Sequence, residues 1–206
     1  MQQITSAITG VLDQVEARHS STGPARGETA SGPLSTINES EARAWLVARE
    51  PEAVDKALST SLRSSLGVNV VIDRQLRFPV EGGYYSEAVG CELGGETGNF
   101  PEARERVNVA MTPLTKDQAE KWLAALQATT AGRRGSETGQ QLALEFYSGA
   151  LMRYPADVAV AVCRRMATRA AKGTNWFPTL SEIVELGDRL SRSRRLMADA
   201  LGRSAI

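Results

Sequence analysis

Residues 152–183, MRYPADVAVAVCRRMATRAAKGTNWFPTLSEI, contain the start of one helix, a basic helix body, an aromatic turn and the start of another helix. Pro155 stands at a first helical position, where the N–H group that proline lacks would have no helical partner anyway. Asp157 lies in that first turn, where the helix dipole stabilises a carboxylate, and Gly173 is typical of a helix end. These signals predict a helix from Pro155 to about Lys172.

The turn after this helix carries a second set of signals. Residues 176–178, WFP, turn the chain, and Thr179 and Glu182 then have the spacing of a capping box. In a capping box each of the two side chains bonds to the backbone N–H of the other residue and starts a helix. A second helix is therefore predicted from Thr179 to about Leu201.

Two further helices are predicted in front of this pair. Thr115 and Gln118 form another capping-box spacing, and apolar residues follow at helical intervals. The next helix is predicted from Leu142 to Tyr154. Residues 112–206 are therefore predicted to form a four-helix bundle domain with short connections.

The chain before this bundle is less regular. Residues 1–18 carry apolar side chains at helical spacing and predict an amphipathic helix, which packs on the protein's own core or on a second copy of the chain. Residues 19–38 are rich in Ser, Thr, Gly and Pro and predict a flexible linker. Residues 39–111 are predicted to form a small helical plus irregular segment.

Two helices are predicted at the start of that segment. The first is capped by Asn38 or Ser40, and the second runs from Pro51 to a stop at Gly67. Trp45 is expected to be a core anchor between the two helices.

The rest of the segment has a different composition. Seven glycines between residues 67 and 98 disfavour long helices, and residues 68–72, VNVVI, have the composition of a short strand. We expect a small hairpin or a long ordered loop over residues 68–111, with one helical turn near Ala88. The predicted fold class is thus mainly α, with a C-terminal four-helix bundle preceded by a smaller helical and irregular segment that includes short strands.

The charges of the chain sum to zero but are unevenly distributed. Residues 1–103 carry 8 Lys and Arg against 14 Asp and Glu, a net charge of −6. Residues 104–206 carry 16 against 10, a net charge of +6. Two interpretations follow: the basic half faces a polyanion or an acidic partner, or the two halves attract each other or a second copy.

The sequence offers no set of residues suited to catalysis. His19 is the single histidine and lies in the predicted linker, whereas Cys91 and Cys163 are far apart and have no CxxC context. One histidine and two such cysteines do not assemble a zinc site. We therefore predict a non-enzymatic protein that has no metal and no cofactor.

The same features predict where the protein is found. Residues 1–17 lack the basic flank and the continuous apolar core of a signal peptide. No stretch reaches the roughly 18 apolar residues of a membrane span, and two isolated cysteines do not argue for secretion. The predicted location is the cytoplasm, without membrane attachment.

Binding is the function that the basic residues favour. The third and fourth bundle helices and the loop before the second carry arginines that could bind the phosphates of nucleic acid or an acidic protein partner. The alternative interpretation is that these arginines lie on ordinary charged faces in contact with solvent. Arg194 on the last helix is grouped with the basic residues. The candidate binding residues are Arg133, Arg134, Arg164, Arg165, Arg169, Lys172, Arg189, Arg192 and Arg195.

Two other groups of residues have a structural and a functional interpretation. Glu182, Glu185 and Asp188 share one predicted helix and could hold a cation, but a solvated acidic face balanced by arginines is favoured. Trp176 and Phe177 could stack on nucleic-acid bases. A turn in which both rings fill the space between two helices is the favoured interpretation.

Residues 154–157, YPAD, and residues 176–183, WFPTLSEI, carry a family resemblance. Residues 112–200 contain, in this order, a capped helix with a Trp residue, a helix that ends in Tyr-Pro and a helix that starts after an aromatic-Pro pair. In this order they resemble the small helical replication-initiation proteins of phages and prophages. These are the replicative-helicase loaders and helicase-inhibitor adaptors. The resemblance covers under half of the chain, and no ATPase motif is present, which separates the chain from loaders that hydrolyse ATP.

The resemblance implies a non-catalytic protein of the bacterial cytoplasm that binds a replicative helicase as loader, adaptor or inhibitor. Two alternatives stay open from the sequence. One is a regulator that binds nucleic acid directly through the same arginines, and the other is a phage counter-defence protein that binds and blocks a host complex. Self-association through residues 1–18 is a further expectation.

Overall fold

The computed structural model describes residues 38–79, 83–130, 137–171 and 176–204. Within them the chain is mainly helical with one small sheet, so the predicted fold class is confirmed. The helix predicted over residues 1–18 lies outside the described residues, as does the predicted linker except for Asn38.

Seven α-helices and two strands follow one another in the described part of the chain. A 3-10 turn, Thr97–Asn99, precedes the third helix. The elements are α1 (Glu39–Val47), α2 (Pro51–Leu66), β1 (Val68–Arg77), β2 (Tyr85–Gly95), α3 (Phe100–Val109), α4 (Lys116–Thr129), α5 (Glu137–Leu151), α6 (Ala156–Ala171) and α7 (Leu180–Arg203).

The ends of the first two helices follow the predicted local signals. The side chain of Asn38 accepts a hydrogen bond from the Glu41 N–H at 3.0 Å, so Asn38 is the N-cap of α1. Pro51 is the first residue of α2, and Gly67 ends that helix in the left-handed conformation with φ of 63°. A side chain at Gly67 would strain this backbone, which is why glycine stops the helix there.

Both predicted capping boxes are confirmed. Thr115 and Gln118 bond reciprocally at the start of α4, with distances of 3.3 Å and 3.1 Å. Thr179 and Glu182 do the same at the start of α7, where the Glu182 carboxylate accepts the Thr179 N–H at 2.8 Å. Each box satisfies N–H groups that a helix start would otherwise leave without partners.

Strands β1 and β2 form an antiparallel hairpin that pairs Val68 with Gly95 at one end and Arg77 with Tyr85 at the other. A register shift lies between Asp73 and Arg74. The predicted hairpin is confirmed, but the helical turn expected near Ala88 is wrong, since Ala88 belongs to β2 and is buried.

Helix α3 was not predicted, because the glycines that precede it led to an irregular interpretation of the whole segment. The last of those glycines is Gly98, just before the helix begins. Pro101 lies in the first turn of α3, and the helix buries Ala103 and Val107 completely. The interval of four residues between these two places them on one face.

One hydrophobic core joins the segment before residue 112 to the bundle. Helix α6 lies at its centre and contacts α1, α2, α4 and α7. Residues 154–163 of this region are all buried. Gly187 permits a close approach between α7 and Tyr154, because a Cβ atom there would lie 2.6 Å from the Tyr154 ring.

Two aromatic predictions need correction. Trp45 is only partly buried at the edge of the core, and its neighbour Leu46 is the fully buried residue of α1. In the turn before α7, Phe177 packs against Tyr147 with ring centroids 5.1 Å apart, as a plug between helices should. Trp176 does not share that role, since 67% of it is exposed.

Candidate binding surfaces

Arg194 is the most completely bonded charged residue in the described part of the chain. It lies in α7 with none of its side chain exposed. Its Nε donates to Asp55 at 2.6 Å, and both terminal nitrogens donate to the carboxylate of Asp157, which is also fully buried. The remaining two N–H groups reach the carbonyl oxygens of Ala110 and Pro51 at 2.9 Å and 3.3 Å.

These bonds use all five N–H donors of the guanidinium and tie α7 to α2, α6 and the end of α3. Burial alone would lower the pKa of Arg194, but the hydrogen bonds and charges of Asp157 and Asp55 raise it. Grouping Arg194 with the basic surface was therefore wrong. The signal that separates it is spacing, because Arg194 falls on the same helical stripe as Ile183, Leu190, Met197 and Leu201.

The first two arginines of α6 face the start of α2. Arg165 contacts Glu52 at 2.8 Å and Glu50 at 3.8 Å, and Arg164 contacts Glu50 at 3.4 Å. The Arg164 guanidinium also lies 5.4 Å from the ring centroid of Trp122, within the range of a cation–π contact. Both arginines are 40% exposed, so their ion pairs are open to solvent.

Arg169, one turn later on α6, contacts Glu182 at 2.7 Å. The Thr179 N–H, the Thr179 hydroxyl and Arg169 together hold the pKa of Glu182 below its ordinary value, against the opposing effect of burial. Glu182 is thus a helix cap and an ion-pair partner. Asp188 is also an ion-pair partner, since its carboxylate accepts hydrogen bonds from Tyr154 at 3.1 Å and from Arg195 at 2.9 Å.

The two other predicted arginines of α7 contact the hairpin. Arg192 donates from Nε to the carbonyl oxygen of Ala88 at 2.7 Å and lies 3.4 Å from the Glu87 carboxylate. The Arg189 guanidinium lies 4.7 Å from the ring centroid of Tyr85. Among the described residues, Arg189 has no carboxylate at ion-pair distance.

The predicted basic residues are therefore split between several locations. Five pairs between residues far apart in the sequence join the acidic front of the chain to its basic back, namely Arg164–Glu50, Arg165–Glu50, Arg165–Glu52, Arg192–Glu87 and Arg194–Asp55. This is the attraction between halves that the charge distribution allowed. Arg133, Arg134 and Lys172 lie outside the described residues.

The sequence did not predict which apolar residues stay exposed. Leu142 and Phe146 are exposed on α5 at an interval of four residues, and Trp176 is exposed in the turn before α7. Trp176 also lines a cavity of about 110 Å³ together with Phe177 and Met166. We call Leu142, Phe146 and Trp176 the bundle apolar residues.

A second exposed group lies on the hairpin. Leu76, Phe78 and Tyr84 are all more than half exposed, and the rings of Phe78 and Tyr84 have centroids 6.4 Å apart. Beside them a groove of about 460 Å³ lies between the hairpin, α2, α6 and α7. Its polar lining includes Glu52, Asp55, Arg74, Tyr84, Tyr85, Arg165, Arg189 and Ser193, and we call it the hairpin groove.

Neither cysteine has the low pKa of a reactive thiol. Burial raises the pKa of Cys163 to about 12 and also raises that of Cys91. Within the residues that the structure describes, no group of three or more His, Cys, Asp and Glu side chains could hold a metal ion. No helix in those residues is both long enough and apolar enough to cross a membrane.

Comparisons of the chain with protein-family models, with curated proteins and with solved structures found no match in any of the three.

Proposed function

We propose that this protein is a non-enzymatic phage or prophage DNA-replication accessory protein that binds a replicative helicase as loader, adaptor or inhibitor. The proposal rests on the resemblance of residues 112–200 to proteins of that kind. The structural observation that supports it is the exposure of Leu142, Phe146 and Trp176, all of which lie within those residues.

Exposed aromatic and aliphatic side chains on a folded bundle are suited to a protein partner. Phe146 and Trp176 would each bury a large ring on binding, and such rings are frequent anchors of protein interfaces. The cavity beside Trp176 offers a place for an apolar side chain of the partner. Polar and charged neighbours such as Glu145 surround the stripe on α5, as at the rim of an interface.

The arginines favour a protein over a phosphate backbone as the main ligand of the bundle. Arg164, Arg165 and Arg169 each have a carboxylate at 3.4 Å or closer, so part of their charge is neutralised within the chain. Phosphates would have to displace these carboxylates. An acidic partner would face the same competition, which leaves the apolar residues as the main source of affinity.

The test is affinity capture of the helicase from host lysate treated with nuclease, with the captured proteins identified by mass spectrometry. The wild-type chain is compared with a Phe146→Ser/Trp176→Ser variant and with Phe78→Ser. Phe78 is a matched control, because it is 73% exposed, close to the 68% of Phe146, but lies on the hairpin. We expect near-stoichiometric helicase with the wild type and with Phe78→Ser, and about a tenfold loss or more with the double variant, as for an interface anchor.

Two outcomes would contradict the proposal, and a third would keep the helicase as the partner but move the interface elsewhere. Capture of a different host complex would favour the counter-defence alternative. Co-purification of nucleic acid without nuclease, and of nothing after nuclease, would favour direct nucleic-acid binding. Equal recovery of helicase with all three chains would remove the bundle apolar residues from the interface.

A further inference from the structure

We propose that the hairpin groove binds single-stranded nucleic acid, with a phosphate at Arg74 and Arg189 and a base stacked on Tyr84. This goes beyond helicase binding and concerns residues outside the bundle apolar set. It shares Arg189 with the basic residues expected from the sequence, whereas Arg164, Arg165, Arg169, Arg192 and Arg195 are engaged in ion pairs.

The first observation is that two of the three guanidinium groups in the groove form no ion pair with a described residue. Arg165 contacts Glu52 at 2.8 Å. In contrast, Arg74 bonds only weakly to the Ser193 hydroxyl, at 3.3 Å, and Arg189 lies over the Tyr85 ring. Among the described residues neither has a carboxylate within ion-pair distance, although the charge of Arg74 acts on Asp55. Both guanidinium groups can therefore still accept an anion as a partner.

The second observation is a stacking surface beside these cations. Tyr84 and Phe78 are 74% and 73% exposed, and their rings are near each other but not buried against anything else in the described chain. Every nucleic-acid base has a flat face that can stack on such a ring, whereas bases in a duplex are already stacked on each other. Stacking beside cations is the combination that single-strand-binding proteins use.

The stacking surface decides between a nucleotide and an acidic peptide, because a phosphate and a carboxylate carry charge of the same sign. Glu52 and Asp55 also line the groove, and each is already paired with an arginine, Arg165 and Arg194 respectively. A base offers N–H donors that a carboxylate accepts, as in contacts of Asp or Glu with cytosine. A nucleotide unit therefore satisfies the guanidinium, carboxylate and tyrosine groups together. The groove volume of about 460 Å³ is within the usual range for small-ligand sites.

The test measures fluorescence anisotropy of a labelled 12-nucleotide single-stranded DNA of mixed sequence, titrated with the full chain at about 50 and 200 mM salt. Tyr84→Ala and Arg189→Gln are the groove variants. The controls are Phe146→Ala, an equally exposed aromatic on α5, and Arg153→Gln, an exposed arginine outside the groove. All four positions are exposed, so folding is expected to survive each change.

We expect Tyr84→Ala to weaken binding about tenfold. Arg189→Gln should lower the slope of log affinity against log salt by about 0.7, the loss of one phosphate contact. Both controls should bind as the wild type does. No binding up to about 100 µM protein, the weak end of the range of non-specific nucleic-acid binding, would overturn the proposal, as would equal losses in groove and control variants.

Two competition arms identify the ligand. The same sequence as a duplex should compete poorly, and equal competition by the duplex would overturn recognition of a single strand. Competition by a mononucleotide at the same concentration as the strand would likewise show that the ligand is a free nucleotide instead of a single strand. Since helicase capture is carried out with nuclease, failure of this test would leave the proposed function unaffected, and the reverse also holds.

Discussion

The first half of α6 and the distal half of the hairpin both carry many apolar residues, yet only one of them is buried. Residues 154–163 are buried without exception because four helices surround α6. Residues 74–79 of the hairpin are all exposed, although Leu76 and Phe78 are among them. Apolar side chains in the first region hold the fold together, whereas those in the second are available to a ligand.

The largest effect expected from this comparison comes from Arg194. Replacing it in Arg194→Met leaves the buried carboxylate of Asp157 without its partner, and we expect the free energy of unfolding to fall by about 3–5 kcal/mol. Urea unfolding measures this change. Arg195→Met is the matched control, since the pair of Arg195 with Asp188 is exposed and is expected to contribute about 1 kcal/mol or less.

A double variant separates the contribution of the buried ion pair to stability from the contribution of side-chain packing at the same site. Arg194→Met/Asp157→Leu removes the two fully buried charges but leaves Asp55 without its arginine partner, so only part of the lost stability should return. If Arg194→Met costs no more than Arg195→Met, the cluster contributes little and the core of α6 is held by apolar contacts alone.

The local part of this fold could be predicted from the sequence. Capping boxes at Thr115 and Thr179 and the stop at Gly67 depend on residues within four positions of each other, so the sequence shows both partners. Helix α3 also carries local signals, namely a proline in its first turn, Pro101, and buried apolar residues at helical spacing, Ala103 and Val107. It was missed because the glycine density of its neighbours was extended over it.

The candidate site depends on contacts between distant residues, which no local pattern contains. Arg194 and Asp55 are 139 positions apart, and Arg74 and Ser193 are 119 apart. Helical spacing alone would have predicted that Arg194 lies in the core and not on the surface. Nothing in the spacing of Tyr84 indicates that it would line a groove with Arg189.

The next effect in size comes from Gly187→Ala, which tests how closely the bundle is packed beside α6. The new Cβ would lie 2.6 Å from the ring of Tyr154, which is buried and bonded through its hydroxyl to Val184 and Asp188. We expect a loss of about 1–3 kcal/mol in unfolding free energy, as for other overpacked cores.

Gly149→Ala is the control for this change, because Gly149 is also helical but has open space around its Cβ position. It should stabilise the protein by about 0.5–1 kcal/mol through helix propensity. Effects of the same sign at the two glycines would contradict tight packing between Tyr154 and α7.

A smaller effect is expected at Glu182, at the bundle end of the helix that also contacts the hairpin. Its hydrogen bonds to Thr179 and Arg169 lower its pKa in the folded protein. The stability that its charge contributes is therefore complete above the unfolded pKa, near 4.5, and is lost as the pH falls through the lower folded pKa. Glu182→Gln should cost about 0.5–1 kcal/mol at pH 7 and less in acid.

The capping box of α4 provides the control, since it has the uncharged Gln118 at the equivalent position. Gln118→Glu should give α4 the acid-dependent stability that Glu182→Gln removes from α7. Unfolding free energies measured by urea between about pH 3 and pH 7 test both variants. A Glu182→Gln effect that is the same at all pH values would show that its charge plays no part in capping.

The smallest effect is expected on the hairpin, and it bears most directly on the comparison. Leu76→Ser changes a side chain that is 59% exposed, so unfolding free energy should stay within about 0.5 kcal/mol of the wild-type value. Leu62→Ala in the core should cost about 2–5 kcal/mol, although it also alters a single leucine. A large loss from Leu76→Ser, measured by urea unfolding, would mean that the hairpin is covered in the folded protein in solution. A negligible loss would mean that stability does not account for the apolar residues at this surface, which is the result expected if they contact a ligand instead.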